Sequence, residues 1–292
     1  MSKRWIAALL SLSLAGTAWA EPPRPLLWKV SDGDNSIYLL GSFHLLKPAD
    51  YPLASSTDAA FDDAEQVVFE LSPAEMADPA GPARMAQAAM RTDGSTLQQS
   101  LPPDVWSKLE AYAARRSIPL ENFQPMEAWF VSLVVSITEM QMLGLNPELG
   151  LDKHFADRAG EAGKPTRGLE TFDQQIALFD GMSAEEQRQA LEDTLEEVAE
   201  MQGEIERMHA LWRAGDDEAL FEETGAELKA EYPALYKRLN HDRNLAWLPR
   251  LQAMLDDEAE DETLVVVGAL HLLGEDGVVE LLRDKGYKVE RL

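Results

Sequence analysis

No cysteine occurs among the 292 residues. That excludes a disulfide framework, thiolate metal ligands and a cysteine nucleophile. Histidine is scarce, five in all, so any imidazole chemistry must come from a short roster. Basic residues are half as numerous as acidic ones, 26 against 52, giving a formal charge of −26. A field of that sign repels phosphate backbones and anionic lipid and argues against nucleic acid as a partner. Several catalytic motifs are also missing: there is no G-x-S-x-G elbow, no H-E-x-x-H helix, no P-loop and no dinucleotide fingerprint. The usual serine hydrolase, the ordinary zincin and the nucleotide enzyme are thereby disfavoured. The strongest internal apolar run, WFVSLVVSITEM, is flanked by Glu127 and Glu139. It has about half of the roughly 20 residues that a membrane span needs and reads as a buried core helix.

The first twenty residues read as a cleavable secretory signal. Lys3 and Arg4 form the positive start, Ile6 to Ala15 the apolar stretch, and Ala18-Trp19-Ala20 a small-x-small cleavage site before Glu21. The expectation is a periplasmic or secreted protein without stable membrane insertion after cleavage. Residues 21–292 are long enough to bury a core without covalent staples and are expected to form one α/β domain.

What the chain does contain is a repeat. Ile37–Leu46 (IYLLGSFHLL) and Leu264–Leu273 (LVVVGALHLL) are near-copies at opposite ends. Each is an apolar run followed by Gly-x-x-His-Leu-Leu, with the glycines at Gly41 and Gly268 and the histidines at His44 and His271. A single histidine at a strand end is more often structural than functional. Two in the same setting suggest that the fold brings both imidazoles to one edge of a sheet.

The surrounding pattern predicts mainly parallel strands. Leu26–Val30 and Ser36–Phe43 read as strands joined by a turn over 32–35, and a helix follows from Tyr51 to about Ala64. Gln66–Leu71 is a β-branched run that closes a βαβ unit. Ser72 to Pro103 reads as a loop with short helical turns, followed by helices over Asp104–Arg116 and Met126–Leu143. Asp152 is a plausible N-cap for a helix over Lys153–Ala162. Thr166–Glu170 reads as another strand, with Thr171 or Asp173 opening the next helix. A helical insertion over about 183–257 starts with one long charged helix from Ser183 to Arg213 and is expected to layer over the sheet. Strand Thr263–Leu270, helix Gly277–Lys285 and strand Tyr287–Leu292 end the chain.

Ligands bind open parallel sheets beyond the carboxyl ends of the strands, where His44 and His271 both fall. Gly41 and Gly268 lack a Cβ and would let a backbone, a metal or a substrate approach. Glu70 and Glu170 end neighbouring predicted strands. Two neutral imidazoles and a carboxylate make an oxygen/nitrogen site for a divalent ion such as Zn²⁺, Mn²⁺, Co²⁺ or Fe²⁺, which would acidify a bound water. Arg243 interrupts an amphipathic helix near Trp247 and is a candidate for binding a carboxylate or an oxyanion. His154 and His209 read as solvated or capping.

These segments resemble the TraB/GumN family: LLWKVSDGDNSIYLLGSFHLLKPADYPL, VVFEL, RGLETFDQQIALFDGMS, DRN and LVVVGALHLLGEDGVVELLRDKGYKVERL. That family is grouped with the TIKI proteases, erythromycin esterase-like enzymes and ChaN-like haem-binding proteins. The resemblance spans nearly all of residues 21–292. It rests on two GxxH motifs with a glutamate and an arginine between them, here Gly41 with His44, Glu70, Arg243, and Gly268 with His271. Gly168, Leu169, Glu170 and Gln175 match the bacterial branch. The resemblance implies an α/β core with helical insertions and a metal-dependent, peptidase-like hydrolase. His44, His271 and Glu70 would be ligands, with Glu70, Arg243 and Glu170 available for catalysis. It also implies two rivals: a metal-free esterase in which histidine and glutamate activate water, and a protein that sequesters a peptide, a metal or haem. The expected partner is a peptide or small-molecule substrate.

Overall fold

The computed structural model describes residues 21–33, 35–256 and 261–292. The expected signal segment, residue 34 of the first turn and the end of the insertion at 257 lie outside them. The architecture is α/β, built on a six-stranded sheet: β1 (Leu27–Ser31), β2 (Ser36–Ser42), β3 (Gln66–Leu71), β4 (Thr166–Glu170), β5 (Thr263–Gly268) and β6 (Lys288–Arg291). The strand order is β4-β3-β5-β2-β1-β6. The pairs β4–β3, β3–β5 and β5–β2 are parallel, and β1 runs antiparallel to both β2 and β6.

β2 and β5 lie inside the sheet, and every residue of both is buried. Continuous apolar runs without alternation are the mark of strands covered on both faces. The βαβ unit expected from Ser36 to Leu71 is present, but its two strands are not neighbours. β5 enters between them, so the last quarter of the chain completes the first. That insertion makes the two GxxH strands adjacent. Their register pairs Gly41 with Val267 and Ser42 with Gly268, a one-residue offset between the motifs.

Helices Ser55–Asp63, Leu151–Ala162 and Asp242–Leu255 pack on this sheet through Phe61, Phe155, Trp247, Leu248, Leu251 and Leu255. Two changes to the expected elements matter for the site. Strand Thr263–Leu270 stops at Gly268, and a 3₁₀ turn over Ala269–Leu272 carries His271. The helix expected to begin after Asp152 begins at Leu151 with Gly150 as its cap, which frees the Asp152 side chain for other bonds.

The helical layer also differs from the reading of one long helix over the sheet. It breaks after Ala184–Glu197 and resumes at Met201–Ala214. The first piece, opened by a Ser183–Glu186 capping box, packs through Leu191 and Leu195 into a second apolar cluster with helices Pro103–Arg116 and Ala128–Met142. The second piece returns to the sheet through Trp212. Helix Ala128–Met142, expected as a buried core helix, buries Ala128, Val131 and Val135 in a core cluster away from the sheet. It belongs mainly to the second cluster, and Ile137 and Met142 are exposed. His209 is buried rather than solvated, with Nε2 2.9 Å from the buried carboxylate of Asp50. His154 is half-buried between Tyr51 and Phe155.

Candidate functional site

Beyond the carboxyl ends of β2, β3, β4 and β5 the chain gathers His44, Glu70, Glu170, Arg243 and His271. Glu70 is the penultimate residue of β3 and is buried. Its Oε1 accepts the backbone N–H of Gly268 at 2.7 Å, and its Oε2 accepts from Arg243 Nη2 at 2.5 Å and from Gln175 Nε2 at 3.2 Å. Burial works against the charged carboxylate. The His271 ring when protonated, the Arg243 guanidinium, the His44 imidazolium and the Gly268 N–H outweigh it and hold the carboxyl well below the usual carboxylate range; with His271 neutral, Arg243, His44 and the Gly268 N–H do so alone. Glu70 is therefore an ionised acceptor at any ordinary pH.

Arg243 projects from helix Asp242–Leu255. Its Nε and Nη2 each donate to Glu170 at 2.9 Å, a bidentate fork, and Nη2 also reaches Glu70. Nη1 donates to the Leu239 carbonyl at 3.2 Å and to His271 Nε2 at 2.8 Å. A guanidinium has five N–H donors and no acceptor. All five are used, which removes Arg243 from the role of an oxyanion donor and makes it the clamp that joins β3, β4 and the His271 turn. Glu170 is engaged in the same way: beyond the arginine it accepts Trp247 Nε1 at 2.9 Å.

The two histidines diverge. Because Arg243 can only donate, His271 Nε2 must be the acceptor and its Nδ1 must carry the proton. Nδ1 lies 2.7 Å from Asn244 Oδ1. The orientation of that amide is set by its Nδ2, which donates to the Asp276 carbonyl at 2.8 Å. Burial pushes the ring's pKa down to about 3, so it is neutral, and it packs on Trp247 with centroids 4.4 Å apart. His44 is the opposite case, with a side chain 55% exposed and Nδ1 2.7 Å from Asp152 Oδ2. That oxygen also accepts the Ser42 hydroxyl at 2.5 Å. The Asp152 carboxylate raises the His44 pKa, to about 9, while water around the exposed ring screens part of the effect. With Nδ1 held by a carboxylate, Nε2 is the free atom.

The glycines of the repeat also part company, for a reason found in the register. Successive residues of a strand face opposite sides, so a one-residue offset puts the two glycines on opposite faces. A Cβ on Gly268 would lie 3.1 Å from both Glu70 Oε1 and His44 Nε2, and 3.6 Å from the His271 ring. A Cβ on Gly41 would instead meet Leu26 and Ala269 at 2.9 and 3.3 Å. Gly268 thus leaves room between the two acceptors, whereas Gly41 serves packing. Gly150 is equally demanding, since a Cβ there would fall 2.1 Å from the His44 carbonyl oxygen. This close approach is what brings Asp152 to the imidazole.

The family profile of TraB/PrgY/gumN matches residues 26–291. The chain belongs to the TraB/PrgY/gumN family. Uncharacterized protein YbaP of Escherichia coli strain K12 is 25% identical over 254 residues, covering 86% of this chain and 89% of YbaP. Metalloprotease TIKI2 of Danio rerio is 23% identical over 305 residues, and metalloprotease TIKI1 of the same fish is 21% identical over 313. These matches cover 87% and 90% of this chain but only 58% and 62% of the two fish proteins. No solved structure matches.

Membership in this family raises the question of a metal. As arranged, the donors do not fit one. The His271 lone pair is taken by Arg243, and Glu70 already balances its charge against the same guanidinium. That leaves His44 Nε2 and one lone pair of Glu70 Oε1. Among the described residues, no group of three or more histidine or carboxylate side chains is placed to hold an ion. The roles of Asp152, of Asn244 and of the Trp247 indole N–H in this site had escaped the sequence reading. Asp152 was hidden because an acidic residue at a helix start has a sufficient explanation in capping and the helix dipole.

Proposed function

We propose that this TraB/PrgY/gumN protein is a hydrolase in which His44, turned by Asp152, activates a water bound against Glu70. The carrying observation is the space over Gly268, which His44 Nε2 and Glu70 Oε1 face from comparable distance. When His44 is unprotonated, a water there can donate one hydrogen to each of these atoms and keep a lone pair for attack. As its oxygen bonds to the carbonyl carbon of an ester or amide, the carbonyl π pair moves to oxygen and His44 takes the proton. Collapse of that intermediate breaks the bond to the leaving group, which receives the proton from His44. Glu70 orients the water, and Arg243, Glu170 and His271 hold Glu70 in place.

A metal-dependent, peptidase-like form of the reaction is the second reading, favoured by the similarity to the TIKI metalloproteases. It requires Arg243 to leave His271. The test is a screen of chromogenic esters and peptides, before and after exhaustive chelation and with Mn²⁺, Co²⁺, Zn²⁺ or Fe²⁺ restored, with His44→Gln alongside. The expected result is many turnovers per molecule that survive chelation and vanish in His44→Gln. Turnover only with a stoichiometric ion would replace this reading with the metal-dependent one. Binding without turnover would replace both with sequestration of a peptide, a metal or haem.

A further inference from the structure

A second cavity, of about 450 Å³, opens between helices Ala128–Met142, Phe172–Asp180 and Ala184–Glu197 and the stretch 228–239. Its apolar wall includes Trp129, stacked on Phe179 with ring centroids 5.8 Å apart. Two polar atoms of lining residues are buried without a hydrogen-bond partner among the described residues: Trp129 Nε1 and Asp193 Oδ2. An orphaned buried donor or acceptor costs about 1–3 kcal/mol, and folded chains keep few of them without a reason. Here the orphaned donor and the orphaned acceptor belong to residues that line the same cavity. On the side of Asp193 the rim carries Glu197 and Glu231. Burial and the neighbouring Glu204, Asp193, Glu227 and Glu231 all push the Glu197 carboxyl up. Among the described residues no lysine or arginine lines the cavity; Arg238, next to the lining residue Leu239, donates through Nη2 to Glu186 and keeps a buried Nη1 without a partner.

We propose that this cavity binds an apolar ligand bearing a protonated amine, with the amine on Asp193 and an acceptor atom on Trp129 Nε1. Ligand pockets of this kind are mostly apolar, with a few convergent polar groups, and run from about 300 to 1,000 Å³. The Tyr232 hydroxyl already hydrogen-bonds to Asp193. The charge at the rim selects a cation, and a neutral or anionic ligand of equal size would leave Asp193 Oδ2 desolvated and without a partner. The cavity does not depend on the hydrolase reading. It is nonetheless connected to the first site: Leu239 lines it, and the carbonyl of Leu239 holds Arg243 one helical turn later.

The experiment is isothermal titration of the whole protein with 4-phenylbutylamine, 4-phenylbutanol and 4-phenylbutyrate, three probes with one apolar body and different head charge. The expected result is binding of the amine, at least tenfold tighter than the alcohol and with no detectable heat from the carboxylate. Asp193→Asn should weaken the amine at least tenfold and leave the alcohol unchanged, and Trp129→Phe should weaken both. Equal affinity for all three probes, an undiminished affinity in Asp193→Asn, or no binding of the amine at millimolar concentration would each overturn the proposal. The probe comparison uses the unaltered chain, so an unfolded variant leaves that part of the test intact.

Discussion

His44 and His271 follow the same tetrapeptide pattern, yet their replacement should have different consequences, because one ring is half in water and the other is enclosed. His44→Ala should lose turnover and, because water around the exposed ring screens its pair with Asp152, give up less stability than loss of the enclosed ring does. His271→Ala removes an acceptor from Arg243, a donor from Asn244 and packing on Trp247. It should cost about 2–4 kcal/mol, read from the urea midpoint. Equal stability of the two variants would contradict the assigned environments. A base must be unprotonated to act, so a folded-state pKa raised from 6.5 toward about 9 predicts a rate that climbs with pH across that window. Asp152→Asn removes the charge that raises it, and the inflection should move to lower pH with a lower plateau. An inflection that stays put would take Asp152 out of the account. The glycines give a third contrast. In Gly268→Ala the methyl meets only side-chain ends, so the chain should fold and lose activity, whereas Gly41→Ala presses on Leu26 and the Ala269 backbone and should lose stability first. Circular dichroism melts and turnover on the same two preparations would separate them. None of this difference is visible in the two decapeptides, because it arises from strand register.

Among the elements, those with local signals were legible. β3 begins and ends with its β-branched run, β4 has the bounds expected for it, and Thr171 and Ser183 open helices through capping boxes that the sequence displays. Pairing order was not legible, because nothing local says that β5 lies between β2 and β3. The break after Glu197 was missed because the apolar stripe continues across it. Asp50 shows how a long-range bond escapes a local reading. It sits in a 3₁₀ turn after the His44 loop and receives His209 and Arg213 from helix Met201–Ala214. Burial alone would raise its pKa, but the His209 bond, the Lys47 N–H and Arg213 bring it below the ordinary 3.8. Its folded-state pKa is thus depressed. The stability it contributes is present above the unfolded value and is lost as pH falls through the folded one. Asp50→Asn should cost about 1.5–3 kcal/mol at neutral pH, the range for hydrogen bonds to a charged group. Its deficit should shrink as the parent chain is acidified below pH 4. A deficit that is constant from pH 7 to pH 3 would show that the charge of Asp50 contributes nothing.

For the whole molecule, the −26 charge is the property that the sequence states most plainly, and its consequence is a matter of balance. Many carboxylates are matched locally: Arg84 with Asp78, Arg158 with Asp58, Lys229 with Asp276. Exposed pairs of this kind contribute between nothing and about 1 kcal/mol each, and salt weakens them. The unmatched excess acts the other way, as a repulsion spread over the surface that opposes the compact state. It is concentrated where Glu197, Glu204, Glu227 and Glu231 face one another, and both Glu197 and Glu204 have raised pKa values there; burial is the largest cause at both, like charge adds to it, and at Glu204 the Arg207 guanidinium opposes it. Raising the ionic strength from about 0.01 to 0.15 M shortens the screening length from about 30 to 8 Å. Long-range repulsion is then suppressed, while the buried clamp of Arg243 with Glu70 and Glu170 is little affected. The melting temperature should therefore rise with sodium chloride over this range, and the rise should be smaller in Glu197→Gln/Glu231→Gln, where part of the repulsion is already gone. A melting temperature that falls with salt would mean that the surface ion pairs outweigh the excess charge. The second cavity, whose rim contains Glu197 and Glu231, would then have to attract a cation by contact alone rather than by the field of the whole protein.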